Sequence, residues 1–293
     1  EVGGGIGYAG PHFVHTFDLL LPPEKYFAEH PEYYALIDGK RTAKHLYSQP
    51  CLSNPDVLRI MIEGIRSWLR DNPEARLVSV SQNDSFVIGS YCTCPACRAV
   101  NEEEGAPSGS LIRFVNAVAE ALEPEFPEVT FDTLAYQYST QPPKLTHPRH
   151  NVAIRMCTGG CSSHPIPDCA NNAGSADAIR GWSQICRQLY IWDYTTDFAQ
   201  YLNPYPNFQT LQDNIRFFRD HNVCGVFEQG NYNEGLSGEF GELRAYLLAN
   251  LLWNPEFDVE SGTESFLNAY YGGGAPYVRQ YLTFIRDKVR DVH

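Results

Sequence analysis

The sequence is poor in positive charge and contains no long hydrophobic run. It has 22 lysine and arginine residues against 35 aspartate and glutamate residues, so the formal net charge is -13. A chain this acidic repels a phosphate backbone, and we therefore expect no nucleic-acid partner. No stretch reaches the roughly 18 consecutive apolar residues that indicate a membrane-spanning helix, which predicts a chain without a membrane span.

Several motifs that identify common functions are also absent. The first residues, EVGGGIGYAG, lack the basic and apolar segments of a signal peptide, although a mature chain would have lost one. Their glycines follow no strand and open no helix, so they do not form a nucleotide-binding fingerprint. Ser162-Ser163-His164 is not surrounded by a G-x-S-x-G turn, which argues against a serine-nucleophile triad at this point.

Strand-like and helical segments alternate along the 293 residues, of which 43% are hydrophobic. This alternation predicts an α/β fold with a parallel sheet and crossover helices. Asn54 before Pro55 is typical of a helix start, and Ser108 or Gly109 begins another helix. The predicted strands start within 12–21, after a glycine-rich arm, and continue at 77–81, 129–136, 152–156, 189–192 and 223–227.

An eight-stranded (β/α)8 barrel of the TIM type needs two more strands than these. No repeat or low-complexity linker divides the chain, so we predict a single domain over residues 1–293. The barrel strands and helices would occupy about 12–253, and additional C-terminal helices would occupy 254–293.

Three of the nine cysteines form a C-x-C-x-x-C cluster at Cys92, Cys94 and Cys97. Thiolates this close together can share one structural Zn²⁺, but a tetrahedral site needs a fourth ligand. Cys51 or a histidine could supply it. The alternatives are three thiols in a tight turn, or one disulfide with a spare thiol. A metal here would brace a loop, and we expect no cofactor for catalysis.

Polar residues follow the predicted strands, where parallel α/β folds present their chemistry. The catalytic candidates are Asp84, Glu228 and Asp193, each at the end of a different strand. The candidates for substrate binding are His15, Gln82, Asn83, Tyr136, Arg155, Trp192 and Tyr194. Carboxyl pairs with aromatic neighbours suit glycoside cleavage, which needs one carboxyl group to protonate the leaving oxygen and another as base or nucleophile.

Structural roles for the same residues stay open. Aspartate and asparagine at strand ends often form turns and helix caps. Asp193 could pair with Arg155 in a structural ion pair, and His15 could be a hydrogen-bonded core histidine. The acidic run Glu102-Glu103-Glu104 is expected to be a solvated loop face before a helix.

Ordered segments across nearly the whole chain resemble the family known as domain of unknown function 4838. They include HPEYYAL at 30–36, SQND at 81–84, IWDY at 191–194, GVFEQG at 225–230 and LLWNP at 251–255. The resemblance implies a glycoside-hydrolase-like barrel similar to the endo-β-N-acetylglucosaminidases of that family, to α-glucuronidases and to β-hexosaminidases. It also favours a secreted or periplasmic location.

If the barrel is similar, Asp84 falls on the fourth strand, and Asp193 and Glu228 fall on the seventh and eighth. The first two strands would then lie upstream of this chain. β-Hexosaminidases carry adjacent Asp-Glu on the fourth strand, whereas this sequence has Asn83-Asp84. The hexosaminidase mechanism is therefore not implied, and Glu228 is the candidate for the acid/base role.

We therefore predict a glycoside hydrolase that cleaves an O-glycosidic bond in an oligosaccharide or polysaccharide containing amino sugars or uronic acids. In this prediction Asp84 and Glu228 are the working carboxylates and Asp193 assists them. The alternative is a barrel that binds carbohydrate without cleaving it. A weaker alternative is a metal-dependent hydrolase that uses the cysteines.

Overall fold

The structure is a computed structural model that describes residues 7–44, 48–85, 89–231 and 238–292. The strands are β1 (Tyr8–Ala9), β2 (Leu36–Ile37), β3 (Lys40–Arg41), β4 (Leu77–Ser79), β5 (Thr130–Ala135), β6 (Val152–Cys157), β7 (Gln188–Tyr194) and β8 (Val223–Gln229). The α-helices are α1 (Phe17–Leu20), α2 (Pro23–Tyr26), α3 (Pro55–Asp71), α4 (Pro95–Glu104), α5 (Ser108–Leu122), α6 (Ala173–Ile185), α7 (Leu211–Asp220), α8 (Gly241–Trp253), α9 (Val259–Tyr271) and α10 (Ala275–Lys288).

The chain divides into two compact units. The first unit is Glu1–Met156 with Gly181–Leu189, and the second is Cys157–Arg180 with Tyr190–His293. The single domain over residues 1–293 stays a prediction.

The first unit is built on parallel strands in the order β1, β4, β5, β6. Alternate residues point to opposite faces of a strand, and on one face Val78, Phe131 and Ile154 are completely buried. The helices α3 and α5 pack against each other, with α3 contacting β1 and α5 contacting β5. The opposite face carries polar side chains, among them Asp132 and Arg155. The chain therefore presents polar groups on one face of a sheet whose other face is core.

The first strand lies earlier than the sequence predicted. Residues 12–16 form no strand, and α1 occupies part of the predicted segment, whereas β1 lies within the arm expected to be a loop. Two glycines with positive φ, Gly7 and Gly10, flank β1 and let the chain enter and leave the sheet sharply. Gly10 also faces the Trp68 ring, which an added Cβ would approach to 2.6 Å.

The helix starts at Asn54 and Ser108 are confirmed. The Asn54 side chain accepts hydrogen bonds from the backbone N–H groups of Asp56 and Val57, which fulfils the predicted cap. The sequence interpretation missed α4, whose short apolar stripe is interrupted by charge. The segment 102–104 is the end of this helix and not a loop.

The expectation that Glu104 is solvated is wrong. Its side chain is buried and accepts hydrogen bonds from Arg113, from the Thr146 hydroxyl and from the N–H groups of Leu145 and Thr146. Burial acts to raise the pKa of Glu104, but the hydrogen bonds outweigh it and hold the pKa at about 2. Glu104 therefore fastens the 144–146 loop to α4 and α5.

The second unit contains β7 from Tyr190 onward and the neighbouring strand β8. Tyr190 lies opposite Gly225, where an added Cβ would come within 2.2 Å of the ring. Two residues further along both strands, the rings of Trp192 and Phe227 are 4.9 Å apart between centroids. Tyr190 faces Gly225 and Trp192 faces Phe227, so the residue numbers rise in the same direction along both strands. The strands β7 and β8 are therefore parallel. Around them, α7 contacts β8 and α8, and α9 contacts α8 and α10.

The predicted α/β class with parallel strands and crossover helices is confirmed for the described residues. The complete (β/α)8 barrel, with two strands upstream of this chain, stays a prediction. None of the described helices combines the length and apolar character that a membrane crossing requires.

Candidate functional site

Three predicted site residues of the first unit meet at the carboxyl ends of β4 and β5. The Tyr136 hydroxyl donates a hydrogen bond to Asp84 Oδ1 at 3.2 Å. The ring centroids of His15 and Tyr136 are 6.3 Å apart, and His15 Nδ1 lies 2.8 Å from the Gln82 carbonyl oxygen. Asp84 and His15 are both partly exposed. This group, the His15–Asp84–Tyr136 cluster, offers a carboxylate, a phenol and an imidazole to one surface.

Gln82 and Asn83 lie beneath the cluster and are almost fully buried, with 1% and 5% of their surface exposed. Gln82 Nε2 donates to Ser139 Oγ at 2.7 Å. The Gln49 side chain bonds both backbone groups of Asn83, accepting from its N–H and donating to its carbonyl oxygen at 2.9 Å each. These contacts position the backbone that carries Asp84, and a substrate-binding role for Gln82 and Asn83 stays a prediction.

His15 of the cluster and Gln137 next to it have left-handed backbone conformations, although neither is a glycine. His15 has φ 55° and Gln137 has φ 51°. Such conformations cost of order 1–3 kcal/mol and tend to occur at functional sites. Gln137 Nε2 donates to the Ser85 carbonyl oxygen at 2.6 Å, directly after Asp84. The sequence placed Gln137 at a strand end but gave no signal of this conformation.

The second unit brings Asp193 and Glu228 side by side. The Thr195 N–H donates to the Gln229 carbonyl oxygen at 3.0 Å, which fixes a register with Asp193 opposite Glu228. Asp193 accepts a hydrogen bond from the Thr158 hydroxyl. Glu228 Oε2 is buried and has no hydrogen-bond partner among the residues that the structure describes.

The two carboxyl groups differ in the groups that act on their pKa values. Burial, together with the charge of Asp193, raises the pKa of Glu228 well above its usual range. Burial also raises the pKa of Asp193, but the hydrogen bonds from Thr158 and from the Tyr194 N–H oppose that rise. Donated hydrogen bonds therefore offset burial at Asp193, whereas at Glu228 the charge of Asp193 adds to burial. Two carboxyls whose environments push their pKa values apart are the usual basis of an acid and base assignment.

The aromatic candidates of the second unit lie on the other face of the same strands. Trp192 Nε1 donates to Gln229 Oε1 at 2.6 Å, and the Trp192 and Tyr194 ring centroids are 6.3 Å apart. Because side chains alternate along a strand, this face is opposite to the one that carries Asp193 and Glu228. The sequence interpretation had placed the aromatic and carboxyl side chains in one site, and it took no account of this alternation.

Asp193 also lines a cavity of about 90 Å³ within the second unit. Its polar lining includes Thr158, Ser162, Tyr205 and Asn207. The sequence interpretation missed these residues, although Thr158 directly follows β6 and the strand-end rule applied to Asp193 would have found it. The cavity provides a polar approach to one side of the carboxyl pair.

Arg155 forms a buried ion pair with Asp132 in the first unit. Its guanidinium also donates to the Tyr8 hydroxyl, which itself donates to Asp132 Oδ2 at 2.7 Å. Tyr8 and Asp132 were missed because they lie within strands and not at strand ends. The contacts of Arg155 in this unit are those of a structural residue, and its substrate-binding role stays a prediction.

Among the residues that the structure describes, two groups of side chains have ligand atoms close enough to hold a metal ion. Cys51, Cys92, Cys94 and Cys97 are all buried in the first unit, and Cys161, His164 and Cys169 lie together in the second. In each group the ligand atoms all lie within 4.8 Å of one another. The predicted trio of cysteines is thus joined by Cys51, one of the two kinds of fourth ligand considered from the sequence.

The comparisons with known proteins identify the family and add a distant structural likeness. The chain belongs to the family described as domain of unknown function (DUF4838), whose model matches residues 4–283. No curated protein matches the sequence. Among solved structures, a sugar phosphate isomerase/epimerase from Parabacteroides distasonis ATCC 8503 is similar over 66% of this chain and 63% of that one, with 8% identity and a TM-score of 0.32. This chain therefore spans less than two thirds of the length of that protein.

Proposed function

We propose that the protein is a glycoside hydrolase acting on a glycan that contains amino sugars or uronic acids. The observation that carries the proposal is the Asp193–Glu228 pair, in which burial and a neighbouring charge raise the pKa of Glu228 well above its usual range. Glycoside cleavage requires such an acid to protonate the leaving oxygen. The choice of glycan follows the family resemblance alone.

The roles of Glu228 and Asp193 follow from their surroundings. Glu228 donates its proton to the glycosidic oxygen, and the neighbouring Asp193 raises the pKa of Glu228 and so favours its protonated form. Asp84, which is partly exposed and bonded to Tyr136 in the first unit, is the predicted base or nucleophile, and this role follows from the sequence prediction alone. The separation of the acid from the second carboxyl decides the stereochemistry, with roughly 5 Å giving retention and roughly 6.5–9.5 Å giving inversion.

A panel of defined glycans incubated with the wild type, Glu228→Gln and Asp84→Asn tests this proposal. We expect cleavage by the wild type and a loss in kcat of about 10²–10⁴-fold in each variant. Glu242→Gln is the matched control, because Glu242 is exposed on α8 in the same unit as Glu228 and should leave kcat unchanged. Full activity in Glu228→Gln would remove Glu228 from the mechanism.

A second candidate is carbohydrate binding without cleavage. It is favoured by the separation of Trp192 and Phe227 from the carboxyl pair, since an aromatic face can stack on a sugar without any acid nearby. Calorimetric titration with the same glycans distinguishes the two functions. Binding that is lost in Trp192→Ala, kept in Glu228→Gln and never followed by product would replace the enzyme proposal.

A further inference from the structure

We propose that Cys51, Cys92, Cys94 and Cys97 bind one structural Zn²⁺ in the first unit. The inference is independent of the proposed function, because it concerns the framework beside Asp84 and not the chemistry of cleavage. It rests on the spacing of the four sulfur atoms, on their burial and on the groups that surround them.

The sulfur atoms have the spacing of a tetrahedral thiolate site. A Zn–S bond of about 2.3 Å places neighbouring sulfurs of a regular tetrahedron about 3.8 Å apart. Cys51 Sγ lies 3.7 Å from Cys94 Sγ and 3.8 Å from Cys97 Sγ. A disulfide would instead bring one pair to about 2.05 Å and leave the other sulfurs unused. None of the four cysteines forms a disulfide in the structure.

The four thiols share one buried cluster with Ala35, and each has 6% or less of its surface exposed. The local structure delivers them from separate segments. Cys51 precedes α3, Cys92 lies in the loop before α4, Cys94 is the residue before that helix and Cys97 is in its first turn. Leu36 and Ile37 of β2 pack against the cluster. A closed, four-ligand sulfur environment without an open position is the form of structural zinc sites.

Hydrogen-bond donors surround the sulfurs as they do around bound metals. The Leu36 N–H donates to Cys92 Sγ at 3.3 Å, and Arg41 Nη1 lies 3.6 Å from the same sulfur. Ser53 Oγ lies 2.6 Å from Cys97 Sγ. Four thiolates and one Zn²⁺ carry a net charge of -2, which the Arg41 guanidinium partly offsets. Such outer contacts orient ligands and tune metal affinity.

The site would brace the loop that supports Asp84. Cys51 is two residues from Gln49, whose side chain holds both backbone groups of Asn83. The Cys51 N–H also donates to the Tyr33 carbonyl oxygen at 2.7 Å. Removing the metal should therefore loosen the backbone under Asp84 as well as the cysteine segments themselves.

Metal analysis of the full chain, purified under reducing conditions from zinc-supplemented medium without chelator, tests the proposal. We expect about one Zn²⁺ per chain. Zinc should be lost in Cys51→Ser and in Cys94→Ser, and kept in the matched control Cys186→Ser, whose sulfur bonds the Trp182 carbonyl oxygen. A chelator should lower the melting temperature of the wild type and of the control alike.

Two further measurements keep the proposal testable if the serine variants do not fold. Replacing the metal of the wild type with Co²⁺ should give the visible absorption of a tetrahedral thiolate site. Arg41→Gln, which leaves all four ligands in place, should weaken zinc affinity by about 10–100-fold. Three results would overturn the inference: a wild type without zinc, a disulfide among these cysteines, or zinc that is lost in Cys161→Ser and kept in Cys94→Ser.

Discussion

At Glu228, burial and a neighbouring negative charge act on the pKa in the same direction. A structural carboxyl such as Glu104 is buried too, but four donated hydrogen bonds hold its pKa at about 2. Glu228 Oε2 receives no such bond from the described residues, and the charge of Asp193 raises its pKa further. Burial alone therefore does not distinguish the two carboxyls, whereas burial without donors and beside a second carboxyl makes Glu228 the candidate acid of the proposed function.

Glu228→Gln should stabilise the protein while it removes activity. The pKa of Glu228 in the folded protein lies above its unfolded value of about 4.5. At pH values between the two, Glu228 is therefore protonated in the folded state and ionised in the unfolded state. The stability that this proton provides is complete below pH 4.5 and is lost as the pH rises through the folded pKa. Denaturant unfolding at several pH values should show Glu228→Gln more stable than the wild type near pH 8, by roughly 0.5–2 kcal/mol.

The free energies of unfolding of Glu228→Gln and the wild type should converge as the pH falls toward 4.5. At that pH the Glu228 carboxyl of the wild type becomes protonated in both the folded and the unfolded state. Glu242→Gln, on the exposed side of α8, should follow the wild type at every pH. A constant difference between Glu228→Gln and the wild type would contradict the raised pKa.

Thr158→Val should shift the acid limb of the pH–activity profile to higher pH. The Thr158 hydroxyl donates to Asp193 and lowers the pKa of that carboxyl. Its loss should move the limb by about one to two pH units, since a hydrogen bond to a charged group contributes about 1.5–3 kcal/mol. The measurement is kcat from pH 4 to pH 9. Thr263→Val removes a bond to the Val259 carbonyl oxygen within α9 and should leave the profile unchanged.

At the scale of elements, the pairing of β7 with β8 decides which side chains meet. A slip by one residue would exchange the faces of all side chains on one strand, and Asp193 would no longer lie beside Glu228. Gly225 contributes to this register because the ring of Tyr190 occupies the space where a Cβ would be. Gly225 does not have a positive φ, so its backbone conformation does not require a glycine. The close approach of the Tyr190 ring explains the glycine at this position.

Gly225→Ala should therefore destabilise the protein and impair the carboxyl pair. The added methyl would lie 2.2 Å from the Tyr190 ring, and overpacking of this kind costs roughly 1–3 kcal/mol. Thermal unfolding measures the cost, and kcat on the cleaved glycan reports the geometry of the pair. Gly241→Ala, where an added Cβ meets nothing within 4 Å, should be neutral or slightly stabilising. Equal stability of the two variants would argue against the register.

For the whole molecule, the sequence predicted the order of strands and helices better than the positions of the site residues. Caps and apolar periodicity are local, which is why the start of α3 at Asn54 could be predicted from the sequence. β1 could not, because it is only two residues long and is defined by its pairing with Leu77 and Val78. The burial of Glu104 and the gathering of Cys51 with the other thiols depend on residues far apart in the chain, which a local pattern does not reveal.

The net charge of -13 belongs to the whole chain and gives its own prediction. Basic side chains that would face a phosphate backbone are largely occupied, since Arg66, Arg113, Arg149, Arg216 and Arg279 each pair with two carboxylates. Gel-shift titration with single- and double-stranded DNA at about 0.15 M salt should show binding weaker than the 10⁻⁴–10⁻⁶ M range of non-specific DNA-binding proteins. Lowering the salt should not rescue it, because repulsion between like charges grows as screening falls. Binding that tightens at low salt would show a basic surface that the net charge conceals.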